Sequence, residues 1–108
     1  MKRSEVWWVN FDPSVGSEIR KKRPAVIVSN DAANKALSRL QVVPLSTNVQ
    51  EIYPSEALVS LNETPCKAMA DQLTTVSKLR MINREGKLSK NDMDKVDEVI
   101  KKQLDLKK

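Results

Sequence analysis

Apolar residues arrive in short bursts along most of the chain and settle into a helical stripe only near its end. The first burst, Val6-Trp7-Trp8-Val9-Asn10-Phe11, is β-branched and aromatic as strands prefer, and it stops at the turn pair Asp12-Pro13. Successive strand residues alternate faces, so Trp7 and Trp8 point to opposite sides and at most one is in the core. Residues 12–23 hold Pro13, Gly16 and the cations Arg20, Lys21, Lys22 and Arg23 without any buried-face periodicity, which reads as a long, basic, exposed loop. Ala25-Val26-Ile27-Val28 is continuously apolar, as a strand buried on both faces would be.

Asn30 or Asp31 can cap a short helix running through Leu37. A third strand is expected at Leu40–Val43. Pro44 cannot donate to a ladder, so that strand should lie at an edge or be ending as it reaches Ser46. Further strands are expected at Glu56–Leu61, Lys67–Ala70 and Val76–Ile82, separated by Asn62-Glu63-Thr64-Pro65 and by the polar stretch after Asp71. Six short strands with turns between them predict a small barrel or sandwich. Ser89, followed three residues later by Asp92, resembles a capping box, and Met93, Val96, Ile100 and Leu104 then share one helical face. The last residues, Leu106–Lys108, should fray.

A chain of 108 residues has room for one domain, residues 1–108, and 40% hydrophobic with 31% charged residues is the balance of a folding globular protein. No apolar run approaches the roughly 20 residues of a membrane span, and the start of the chain has no apolar signal core, so a soluble cytoplasmic protein is expected. One cysteine, Cys66, and no histidine leave no internal disulfide and no zinc site, so neither metal nor cofactor is expected. Lacking a histidine to depress its pKa, Cys66 reads as a small strand residue and not a nucleophile. The net charge of +5 favours polyanionic partners but does not choose among them.

Val6-Trp7-Trp8-Val9-Asn10-Phe11-Asp12-Pro13, Gly16-Ser17-Glu18, Lys22-Arg23-Pro24-Ala25-Val26-Ile27-Val28-Ser29, Val43-Pro44-Leu45-Ser46-Thr47 and Ala70-Asp71-Gln72 resemble, in order and spacing, the MazF/PemK/Kid family of toxin ribonucleases. The resemblance covers nearly the whole chain. It implies a mainly β fold, a small SH3-like antiparallel barrel of the CcdB/PemK kind, with a short helix and a C-terminal α-helix. It further implies a homodimer whose groove holds single-stranded RNA, and a cognate antitoxin that lays an extended acidic C-terminal segment over that surface. The implied reaction is metal-independent cleavage of mRNA by 2′-OH attack, giving 2′,3′-cyclic phosphate and 5′-OH ends.

Within that resemblance Arg23 matches the active-site arginine, whose planar guanidinium can grip two phosphate oxygens and stabilise the transition state. Ser46 stands where many members carry threonine and can donate its hydroxyl to the scissile phosphate; Thr47 is the neighbouring alternative, and turn capping the competing role. Glu18 matches a loop glutamate that could act as general base or hold Arg23 in place. Asp71 occupies a position proposed as base in one branch, but the arginine that accompanies it there is Met69 here. Arg20, Lys21, Lys22, Lys78, Arg80 and Trp8 are the expected RNA contacts, the cations to phosphates and the indole to a base. Two other functions remain open: a non-catalytic toxin of the same barrel superfamily that poisons a topoisomerase by binding protein, and a plain nucleic-acid-binding module.

Overall fold

The computed structural model describes residues 1–107 and runs β1 (Glu5–Asn10), β2 (Lys22–Ile27), α1 (Asp31–Ala36), β3 (Arg39–Ser46), β4 (Glu56–Leu61), β5 (Thr64–Met69), β6 (Thr74–Ser77), β7 (Met81–Lys87) and α2 (Lys90–Gln103). Adjacent strands pair antiparallel throughout, in the spatial order β4-β5-β3-β2-β1-β7, and β6 lies beside β3 off that path. Single 3₁₀ turns at Ala70–Gln72 and Lys78–Arg80 flank β6. The sheet curls into a half-barrel with α2 against β4 and the first 3₁₀ turn. Among the described residues β4 and β7 share no ladder; the hairpin tip meets β7 where the Asn62 amide donates to the Glu85 carbonyl at 3.1 Å.

The expected helices form. Asn30 caps α1 by accepting from the Ala33 N–H, and the Ser89 hydroxyl accepts from the Asp92 N–H at the start of α2. Asp92 turns its carboxylate to the Ser60 N–H at 2.9 Å, tying α2 to β4 where a capping box would close on its own helix. Met93 and Val96 are buried as the stripe requires, but Leu104 lies beyond the last turn and is 51% exposed. Of the segment expected to fray, Leu106–Lys108, residue Lys108 lies outside the described residues.

The strands correct the sequence reading in four places. The basic loop ends one residue short of Lys22, because Lys22 and Arg23 pair with Asn10 and Val9. β3 ends at Ser46, as one alternative expected, but it is a central strand and runs through Pro44, past the expected end at Val43. The Val28 N–H donates to the Gln41 carbonyl at 3.0 Å, and by alternation Pro44 and Ala25 form a pair whose backbone groups face away from each other. Pro44 therefore turns its nitrogen to the side where β3 has left β6, after Val42↔Thr74, and has not yet met β5 at Leu45↔Ala68. No ladder N–H is needed there, and a proline fits inside a central strand. The hairpin after β4 is tighter than expected: Asn62 and Glu63, both at positive φ (49° and 68°), form a two-residue turn, so Thr64 and Pro65 belong to β5. Finally, the segment expected as one strand at Val76–Ile82 is β6, a 3₁₀ corner and β7.

Two apolar clusters lie on opposite faces of β2 and β3. Val26, Val43 and Leu45 face α2 with Met93 and Val96, whereas Ala25, Ile27 and Val42 face Val9, Phe11 and Leu40. The expectation of a strand buried on both faces is met. Trp7 packs against the second cluster, which leaves Trp8 for the other face.

Candidate active site

The face that carries Trp8 opens into a cavity of about 420 Å³ between the ends of β2 and β3 and the β4–β5 hairpin. Its floor is apolar, with Pro24 and the buried Leu45, Leu61 and Cys66, and its walls bring together Trp8, Lys21, Lys22, Arg23, Ser46 and Thr47. Burial pushes the Cys66 thiol above its ordinary pKa, although a hydrogen bond involving the Leu61 backbone opposes the shift, so the group is a neutral floor residue.

Pairing with β1 fixes where Arg23 starts, and its Nε donates to the Arg20 carbonyl at 3.3 Å, leaving the terminal nitrogens of the guanidinium for a ligand. Arg23 makes no ion pair among the described residues. Ser46 ends β3 beside Lys67, and its Oγ accepts from the Asn48 N–H at 3.2 Å. The capping role is present, and it is compatible with donation because the hydroxyl proton stays free when the oxygen acts as acceptor. Thr47 follows, exposed at the rim.

The other expected site residues lie elsewhere. Glu18 and Asp71 line a separate cavity of about 360 Å³ with Phe11, Ile19, Gln72 and Arg80. Glu18 accepts from the Val15 N–H at 2.8 Å and does not hold Arg23, so the organising role is not seen. Arg80 donates to the carbonyls of Asn10 (3.0 Å) and Asp12, anchoring the start of the basic loop. The Lys78 ammonium donates to the Asn34 carbonyl beside α1. Arg20 is exposed outside both cavities.

Sequence reasoning missed three residues. Gln72 holds the loop from the opposite side, accepting from the Ile19 N–H at 3.2 Å and donating to the Ser17 carbonyl at 3.4 Å. Asn62 and Glu85 both line the Arg23 groove. Gln72 stood inside a recognised block, but nothing in the local pattern signalled Asn62 or Glu85, whose positions depend on a turn and a bulge.

Fold and groove together define a small half-barrel protein with a cationic, apolar-floored cleft and a hydroxyl at its strand end. The chain belongs to the PemK-like, MazF-like toxins of type II toxin–antitoxin systems, whose family model matches residues 2–104. It is 39% identical over 115 aligned positions to the protein named endoribonuclease MazF9 of Mycobacterium tuberculosis, covering 98% of each chain. It is 32% identical to the endoribonuclease toxin MazF of Escherichia coli K12, covering 80% of this chain and 78% of that one. Among solved structures, MazF from Deinococcus radiodurans superposes with a TM-score of 0.86 at 21% identity, over 97% of this chain and 96% of that one. A mycobacterial endoribonuclease in complex with its cognate antitoxin does so at 0.84 and 20% identity, over 100% and 98%. At such identities the structures bear on the fold alone, and they agree with the half-barrel. No helix among the described residues is long and apolar enough to cross a membrane.

Proposed function

We propose that this chain is the toxin of a toxin–antitoxin pair and an endoribonuclease that cuts single-stranded RNA in the cytoplasm. The observation that carries the reading is the meeting of Arg23 and Ser46 in one groove of a chain whose curated relatives are named endoribonucleases. Lys21 and Lys22 on the rim attract the phosphate backbone, and the apolar floor with Trp8 suits unstacked bases. In the reaction the ribose 2′-oxygen bonds to phosphorus as the bond from phosphorus to the 5′-oxygen breaks, leaving a 2′,3′-cyclic phosphate. The 2′-proton leaves to a base, and the departing 5′-oxygen takes one up.

Arg23 stabilises the charge that develops on the non-bridging oxygens with two parallel N–H donors, and the Ser46 hydroxyl adds a third. Arginine remains a charge stabiliser here, because a delocalised guanidinium gives up its proton reluctantly. With no histidine in the chain and with Glu18 and Asp71 facing their own cavity, base catalysis is weak and charge stabilisation dominates the rate. The active form is a homodimer, and the antitoxin covers the cationic groove with an extended acidic segment.

The test is digestion of a single-stranded RNA and of its annealed duplex by purified protein in excess EDTA. The single strand should be cut to 5′-OH ends and the duplex spared, since A-form geometry hides base edges and stiffens the sugar. An absolute requirement for a divalent cation would sink the mechanism. Binding without cutting would favour a nucleic-acid-binding module, and neither binding nor cutting would favour a toxin that acts on protein.

A further inference from the structure

A single carboxylate, Glu85, lines the groove that Lys21, Lys22 and Arg23 make cationic. It comes from an irregularity in β7. Gly86 stands opposite Val6 and Arg84 opposite Trp7, so Glu85 is an extra residue, a bulge, between them. Bulges re-aim side chains, and in the register set by Val6↔Gly86 an unbulged Glu85 would stand opposite Trp7, on the face away from Trp8. Instead its Oε2 accepts from the Trp8 indole N–H at 2.8 Å, and it makes no ion pair among the described residues. Gly86 permits the arrangement, because a Cβ there would lie 3.0 Å from the Asn62 side-chain oxygen and 3.1 Å from Leu61 Cδ1. The hairpin tip thus closes on the bulge, and the Asn62 amide holds the Glu85 carbonyl.

A carboxylate in a phosphate-binding groove repels the backbone it lies near, so it needs donors to face. An aromatic ring whose edge fixes that carboxylate offers a base both a stacking surface and an acceptor pair. Ionised, the carboxylate has about four lone-pair sites, of which the indole uses one. Guanine alone among the four RNA bases presents two adjacent donors, N1–H and the N2 amine, on its Watson–Crick edge. Adenine and cytosine set one donor beside an acceptor, and uracil flanks its single N–H with carbonyl oxygens.

We propose that Trp8 and Glu85 form a guanine-reading subsite, Trp8 packing on the base and Glu85 accepting from N1–H and N2–H. The inference rests on the ribonuclease reading and names a specificity determinant within it. Glu85 sets which sequence is cut; Arg23 and Ser46 set how fast.

Cleavage sites of wild type and Glu85→Gln are mapped by 5′-end sequencing of one long natural RNA. Binding is then measured to an oligonucleotide carrying the mapped site, blocked by a 2′-deoxy sugar at the scissile position, with guanosine or inosine at the guanine. Wild type should show guanine at one fixed position near the cut and bind the inosine probe, which lacks the N2 amine, more weakly. Glu85→Gln, whose amide offers one acceptor and one donor, should cut guanine sites roughly ten- to hundredfold more slowly, shift toward adenine or cytosine there, and no longer distinguish inosine. A wild-type motif without guanine, an unchanged motif in Glu85→Gln, or equal slowing on every RNA would overturn the subsite while leaving the nuclease intact. Failure of wild type to cut any RNA would instead refute the nuclease reading.

Discussion

Lys67 is the sharpest test of the energetics beneath the groove. It is 8% exposed on β5, and its ammonium lies 3.2 Å from Glu56 Oε1, donates to the Glu51 carbonyl at 3.1 Å and stands 5.5 Å from the centre of the Tyr53 ring. The paired side chains are only 10% and 7% exposed, so Lys67→Ala leaves a carboxylate in a poorly solvated place without its cation. Removing one partner of a buried pair costs about 3–5 kcal/mol. The low end applies, because Glu56 keeps the Tyr53 N–H at 2.9 Å. Near 3 kcal/mol, the melting temperature of a chain this size should fall by roughly 10–20 °C, measured by circular dichroism at fixed ionic strength. The double change Lys67→Met with Glu56→Leu should recover most of the loss, since it removes the stranded charge along with the cation. A shift of only a degree or two for the single variant would show that solvent already screens the pair. A double variant as unstable as the single would show that packing, not the uncompensated charge, sets the cost.

Arg23→Ala should abolish cleavage with little change in melting temperature, and Arg23→Lys should restore only part of the rate, because an ammonium cannot reproduce the bidentate grip; single-turnover rates on one defined RNA decide both. Ser46→Ala should lose on the order of ten- to thousandfold in rate with a stability loss of about 1 kcal/mol or less, because water can replace the exposed bond to the Asn48 N–H, while Ser46→Thr keeps both. Full activity in Ser46→Ala with none in Thr47→Ala would move the donor one residue along the chain. Burial raises the pKa of Glu5, but hydrogen bonds from the Trp7 indole and the Lys2 N–H, with the nearby N-terminus and Arg84, outweigh it and hold the carboxyl below its ordinary 4.5. Its contribution is therefore complete above that value and is lost as pH falls through the lower folded-state value. Acid melts of Glu5→Gln should show a shallower loss of stability below about pH 4.5 than wild type, and parallel curves would contradict the assignment.

What sequence alone revealed tracks how local each determinant is. The capping residues Asn30 and Ser89 and the doubly buried run from Ala25 act through neighbours in the chain, and they formed as expected. Pro44 rightly signalled a strand ending at Ser46 but hid that the strand is central, because its tolerance there depends on β3 exchanging β6 for β5 along one flank, a fact of tertiary pairing. The Asn62-Glu63 turn carried no glycine to announce it, and the 3₁₀ corner that divides β6 from β7 shows in the sequence only as a change of apolar phase between Val76 and Leu79, with no glycine or proline to mark it. For the site, Arg23, Ser46 and Trp8 line one groove because it opens at the ends of β2 and β3, where side chains from both faces of the sheet reach it: Trp8 shares the face of Pro24, and Arg23 that of Val9. Glu18 and Asp71 separate from them because the basic loop folds toward the turn after β5, a direction its sequence does not encode visibly.

That loop is closed at its foot. Phe11 donates to the Lys21 carbonyl at 2.9 Å, Lys21 donates to Asp12 Oδ1 at 2.8 Å, and Arg80 holds the carbonyls of Asn10 and Asp12, so the entry and exit strands are locked together whatever lies between. Exposed residues such as Val15 and Ser17 can then change in identity, and the tip in length, at a loop-closure cost that grows only slowly with length, without displacing Arg23 from its place opposite Val9. The tip is a replaceable segment mounted on a fixed frame of paired strands. Such an architecture lets a lineage lengthen or shorten the chain at one turn while the register of β1 against β2, and with it the place of Arg23 in the groove, is inherited unaltered.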